Sequence, residues 1–165
     1  MNRPLAEMFR YNRWANLVLL EACGPLPEEQ LDARDPGASG SVRELLMHLV
    51  GGQQTFVLRT KGRQHEGELN RASAFPGFDA LVEIATATSD ELIEIAEALD
   101  NDRDVDLPYL GKMYRFPLSF FLLHALEHAV EHRTEIKLSL ARQGVATPDL
   151  DAWSYAPVAG FGQEL

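Results

Sequence analysis

Apolar residues recur every three or four positions between Pro4 and Cys23, at Leu5, Met8, Phe9, Ala15, Leu19 and Cys23, which is the spacing of one helical face. Gly24 and Pro25 end that helix. The polar stretch from Leu26 to Gly40 reads as a turn-rich connection. Ser41 and Glu44 then have the spacing of a capping box, in which each side chain satisfies a free amide of the first helical turn. A second helix therefore starts at Ser41, buries Val42, Leu45, Leu49, Gly52 and Phe56, and fades before Gly62. Residues 62–77 read as loop.

A third helix is predicted from about Phe78 to Leu99, with Phe78, Leu81, Val82, Ala85, Leu92, Ile95, Ala96 and Leu99 on one stripe. After the polar break at 100–104, two short runs flank Gly111 and Lys112. They predict a small hairpin or irregular segment, with Pro108 confining one arm to an edge. Pro117 suits the first turn of a fourth long helix that runs to about Gln143, where Gly144 stops it. The stretch 147–156 adds a short helix. Four long amphipathic segments without strand–helix alternation predict an all-α fold, a four-helix bundle with a short hairpin before its last long helix. A chain of 165 residues suits a single domain, 1–165, which can bury roughly 70% of its unfolded surface without disulfides.

Charge narrows the function. Twenty-five acidic against fifteen basic side chains give a net charge of −10, and no cluster of Lys or Arg stands apart, so phosphate-driven nucleic-acid binding is disfavoured. No apolar run is long enough to span a bilayer. The lone Cys23 cannot form an internal disulfide, and the first residues lack the apolar core of a signal peptide, so a reduced, cytoplasmic protein is expected.

The chemistry concentrates in "HALEHAVEH", residues 124–132. Residues four apart on a helix lie about 40° out of register, so His128 and His132 can present ring nitrogens to one ion. Measured around the helix from His128, the apolar Leu118, Phe121, Leu122, Ala125, Ala129, Ile136 and Leu140 occupy an arc from about 20° to 120°. Glu127, Glu131 and Glu135 lie at about 260° to 340° and read as a solvated acidic ridge. His124 is shifted toward those glutamates and is excluded from the inner set. A metal needs a third ligand. His48 supplies it, because it borders the buried face of the second helix and facing helices of a bundle can bring such rings to one point. His65, in the glycine-containing loop, is expected in solvent. A single histidine at the edge of an apolar face is more often a hydrogen-bonded core residue than a ligand. Three of the chain's five histidines at such edges make a stronger case.

The H-x-x-E-H pattern of inverted zinc peptidases also fits "HAVEH", but it overlaps a second copy, "HALEH", as helical periodicity would produce. The short tail after His132 leaves little room for a distant carboxylate ligand. Two further signals lie off this segment. Asn12 and Asn16 fall on the apolar face of the first helix, where an unpartnered amide costs about 1–3 kcal/mol, so each needs a backbone partner or lines a polar pocket near the metal. Gly51 and Gly52 each cost about 1 kcal/mol relative to alanine in mid-helix, which calls for close approach by a neighbouring backbone or a ligand.

Three stretches, "YNRWAN" at 11–16, "VRELLMHLV" at 42–50 and "EHAVEHRTEI" at 127–136, resemble the DinB-like proteins, metal-binding four-helix bundles that include thiol-dependent transferases. The resemblance implies that His48 matches the family's ligand on the second helix and that His128 and His132 match its pair on the last one. The family often carries H-R-x-Q at the end of the final motif, where this chain has Glu135. Some members transfer or isomerise low-molecular-weight thiol adducts and many have no assigned activity, so the resemblance speaks to fold and metal more than to reaction.

The expectation is a divalent-metal protein, with zinc or nickel suited to imidazole, acting on a small-molecule substrate with a small thiol or water as nucleophile. The alternative is a non-enzymatic metal-binding bundle with a structural, sensory or stress-related role. No residue is assigned as catalytic base. Buried on an apolar face, Cys23 is a poor nucleophile. The apolar bundle makes a homodimer reasonable.

Overall fold

The computed structural model describes residues 2–64 and 69–162. Helix α1, Arg3–Cys23, opens with the Asn2 side chain accepting from the Leu5 amide. A single helical turn, α2, Glu28–Asp32, lies in the connection that reads from sequence as turn alone. Pro27 precedes it with extended backbone, and Leu31 gives it one buried anchor. Helix α3, Val42–Thr60, carries the complete capping box: Ser41 Oγ accepts from the Glu44 amide and Glu44 Oε2 accepts from the Ser41 amide. Helix α4 spans Phe78–Ala98 and helix α5 spans Leu118–Arg142. A final turn, α6, Ala152–Tyr155, is capped by Asp151.

Between α4 and α5, strands β1, Asp104–Tyr109, and β2, Lys112–Pro117, form an antiparallel hairpin with Tyr109 opposite Lys112. The turn is Leu110–Gly111 rather than Gly–Lys, and both residues have positive φ, 49° and 74°. Two successive left-handed residues match the strand twist of a two-residue turn, which is why glycine sits second. With only two strands, Pro108 lies on an edge by necessity, opposite Met113.

The four long helices close a bundle in which α1 and α3 each pack on both α4 and α5. One apolar half contains Leu19, Leu45, Leu49, Leu81, Ile136 and Leu140; the other contains Phe9, Phe56, Leu92, Phe121 and Leu122, with Val105 and Leu107 of the hairpin capping it. The α4 stripe departs from expectation at one place. Val82 is 37% exposed, and Ser89, not an apolar residue, fills the stripe between Ala85 and Leu92.

Ser89 belongs to a buried polar layer drawn from all four helices. Gln53 Nε2 on α3 lies 2.9 Å from Ser89 Oγ and 3.0 Å from the Ala85 carbonyl, and Gln53 Oε1 accepts from Asn16 Nδ2 at 2.9 Å. Arg133 Nη1 on α5 donates to both Asn12 Oδ1 and Asn16 Oδ1, each at 2.6 Å. Polar groups this deep are stabilised by bonding one another, and here Asn12, Asn16, Gln53, Ser89 and Arg133 Nη1 do so across the bundle, while Arg133 Nη2 has no partner among the described residues.

Candidate metal centre

Helices α3 and α5 pack face to face, which sets His48 against one helical turn of α5. Ring nitrogens of His48, His128 and His132 all lie within 4.8 Å of one another. His48 Nε2 and His128 Nε2 are 3.2 Å apart. Nitrogens about 2.05 Å from a shared tetrahedral ion stand roughly 3.3 Å from each other, so this pair needs almost no movement to share one. The two glycines explain how the rings reach the seam. A Cβ on Gly52 would run into the His128 imidazole, and one on Gly51 would collide with the Leu69 carbonyl. Both residues stay glycine because a ring and a loop backbone occupy the space a methyl would take.

Protons compete poorly for two of these rings. Burial pushes the His48 imidazole down to about 4, helped by the Arg71 guanidinium and by His132, and only partly opposed by Glu135. Burial likewise pushes His128 down to about 3, with the neighbouring imidazoles and Arg71 adding to the effect. Both rings are therefore neutral near pH 7, with lone pairs free.

His132, buried, is oriented from outside. Its Nδ1 lies 3.2 Å from Glu135 Oε2. Burial opposes the charge on Glu135, but hydrogen bonds from the Ser39 amide and hydroxyl and from His132 outweigh it and hold the carboxyl below its ordinary range. The Ser39 hydroxyl donates to Oε2 at 3.0 Å, and Arg71 Nη1 in turn donates to the Ser39 carbonyl at 2.7 Å. An ionised Glu135 can only accept, so it fixes the proton on Nδ1 and leaves Nε2 as the ligand atom. Glu127 and Glu131 are exposed as a ridge should be, but Glu135 is not part of it. The connection before α3 folds over Glu135 and turns it inward, which is invisible in the angular position of the residue. Its spacing of three from His132 is the signal that could have revealed it.

Other expected residues fall differently. His124 stays out of the cluster, yet it does not lean into the acidic ridge: its ring packs 4.6 Å from Phe56 and 6.0 Å from Phe120. Asn12 and Asn16 line none of the cavities described below; they hold the buried guanidinium of Arg133. Arg133 is 3% exposed, with no carboxylate among its described partners, and Tyr11 lies with its ring 5.8 Å from the guanidinium carbon. Sequence reasoning missed it; the signals that could have pointed to it are its position at about 140° from His128, just beyond the apolar arc, and two asparagines in need of partners. His65 lies outside the described residues.

Two hollows flank the cluster. One, of about 360 Å³, is lined by His48, Gly52, Phe56, Arg59, His124 and His128. The other, of about 740 Å³, lies beyond His132, against Glu135, Ser39 and Arg71. The smaller reaches two of the three imidazoles. No Cys, Asp or Glu among the described residues completes the cluster. Three imidazoles with ring nitrogens within 4.8 Å of one another, two of them neutral and one oriented by a carboxylate, can bind a metal ion.

Comparison with known proteins agrees with the fold. No curated protein matches the chain significantly. The solved structure of a DinB-like protein from Bacillus cereus superposes with a TM-score of 0.67 at 17% identity, covering 90% of this chain and 99% of that one. The DinB-like protein YjoA of Bacillus subtilis superposes with a TM-score of 0.61 at 18% identity, covering 90% and 98%. At such identity these likenesses speak to the fold alone. Residues 1–164 match the profile of the DinB family, and the chain therefore belongs to the DinB family.

Proposed function

We propose that this chain is a divalent-metal enzyme that directs a small thiol, or water, at an electrophilic small molecule. One observation carries the reading: the imidazole pair at bonding distance faces a hollow of about 360 Å³, within the size range of small-molecule sites, and not a closed shell of protein ligands among the described residues. A divalent ion held by His48, His128 and His132 would supply a Lewis acid able to make a small thiol or water nucleophilic at neutral pH. Zinc and nickel suit such ligands. The chain's own residues supply the rest. His48 and His128 offer neutral rings whose Nε2 atoms face each other at 3.2 Å, Glu135 sets the tautomer of His132, and Phe56 lines the hollow beside them.

The competing reading is a non-enzymatic bundle in which the ion is structural or sensory. The experiment that separates them measures metal content, then thiol consumption with a panel of cellular thiols and electrophiles, for wild type and for His48→Ala, His128→Ala, His132→Ala and His124→Ala. The first three variants are expected to lose metal and turnover together, and His124→Ala to keep its metal. Wild type that binds metal but consumes no more thiol than His48→Ala would reject the transferase reading in favour of the non-enzymatic one. Equal metal loss in all four variants would reject the assignment of the site.

A further inference from the structure

The hollow beside His48 and His128 does not end at the imidazoles. Two smaller cavities, of about 180 Å³ and about 150 Å³, adjoin it, and Arg59 lines all three. The first of these is walled by Phe116, Phe120, Phe121 and His124, with Phe116 and Phe120 stacked at 5.0 Å and 15°. An apolar cavity of about 150 Å³ accepts a benzene ring, so this one has room for a single six-membered ring. Phe56 bridges the two regions. Its ring centre lies 5.4 Å from that of His128 and 5.4 Å from the Arg59 guanidinium carbon.

Arg10, Arg13, Arg34, Arg43 and Arg115 each pair with a carboxylate. Arg59, Arg71, Arg103 and Arg133 have no carboxylate partner among the described residues, but Arg71, Arg103 and Arg133 donate to Ser39, to the Thr60 carbonyl and to Asn12 and Asn16, whereas Arg59 lines three cavities. It is also partly buried, and that burial holds its guanidinium below the ordinary range, with Tyr109 opposing. A partly buried cation at the meeting point of three cavities, with no carboxylate partner among the described residues, is arranged to receive an anion. A planar carboxylate matches one guanidinium through two parallel N–H bonds.

We propose that the small molecule handled at the metal centre is an aryl carboxylate, its carboxylate paired with Arg59 and its ring seated between Phe116, Phe120 and His124. This deepens the reading of the hollow as a substrate site and rests on it. The test compares phenylacetate with the neutral phenylacetamide, titrated into zinc-loaded full-length protein by calorimetry or ligand-observed NMR. Wild type is expected to bind phenylacetate at least tenfold tighter than the amide. Arg59→Gln should erase that preference with metal content unchanged, Arg59→Lys should keep part of it, and Phe120→Ala should weaken both probes alike. Equal phenylacetate affinity in wild type and Arg59→Gln, with circular dichroism confirming both folds, overturns the proposal. So does a preference that persists in Arg59→Gln and vanishes in His48→Ala, since the carboxylate would then sit on the ion. Repeating the titration after chelation separates the two readings. A preference that survives chelation and is lost in Arg59→Gln supports the Arg59 subsite, whereas failure of the metal centre would show as wild type that retains no zinc.

Discussion

Glu135 decides the state of His132, and the decision passes through a residue ninety-six positions earlier in the chain, Ser39, whose amide and hydroxyl hold the carboxylate in place. Glu135→Ala is expected to lower metal affinity about 10- to 100-fold, the usual loss when a ligand histidine is left without its outer partner. Competition with a chromogenic chelator would read this directly, and an unchanged affinity would mean that Glu135 does not orient the ring. The convergence of His48, His128 and His132 was legible in the sequence because a helix turns spacing into angle. Glu135 and Arg133 were not assigned for the same reason in reverse. Angle alone gives Glu135 to the ridge and says nothing of the connection that folds over it, and Arg133 becomes plausible only once Asn12 and Asn16 are seen to face it.

Among the elements, α3 is the one built around the site. Its capping box fixes where the first turn begins, which sets the phase of His48 six residues after Val42. Its two central glycines let the Leu69 backbone and the His128 ring approach it. Gly52→Ala would gain helix propensity of about 1 kcal/mol, but overpacking against His128 costs about 1–3 kcal/mol, so the second effect should prevail. The expected result is a lower melting temperature and reduced metal content, read by calorimetry and elemental analysis. A melting temperature raised with metal retained would mean that the His128 ring has other room. The helices were readable from their apolar periods and end signals, and the hairpin from its glycine. The α2 turn was not, since five residues with one apolar anchor carry no period. Val82 was misplaced because a hydrophobic residue beside a stripe need not lie under it, while Ser89 lies under it because Gln53 supplies a partner.

The whole molecule responds to acid through these same rings. In the unfolded chain His48 and His128 take up protons as pH falls below about 6.5, while in the folded chain they stay neutral until about 4 and about 3. The unfolded state then binds more protons, so stability is lost as pH falls from about 6.5 through about 4 for His48 and on to about 3 for His128. Urea midpoints of chelator-treated protein should drop between pH 7 and pH 5, and drop less in a His48→Gln, His128→Gln double variant; equal drops would place the sensitivity elsewhere. Two apolar halves sandwich one polar stratum that spans every long helix. Sliding or rotating any one helix would strand an amide or the guanidinium of Arg133 in a dry interior, so the four helices have a single permitted alignment. The imidazoles of α3 and α5 inherit that alignment, so the stratum that locks the helices together also sets the 3.2 Å between His48 and His128, at a distance from the rings themselves.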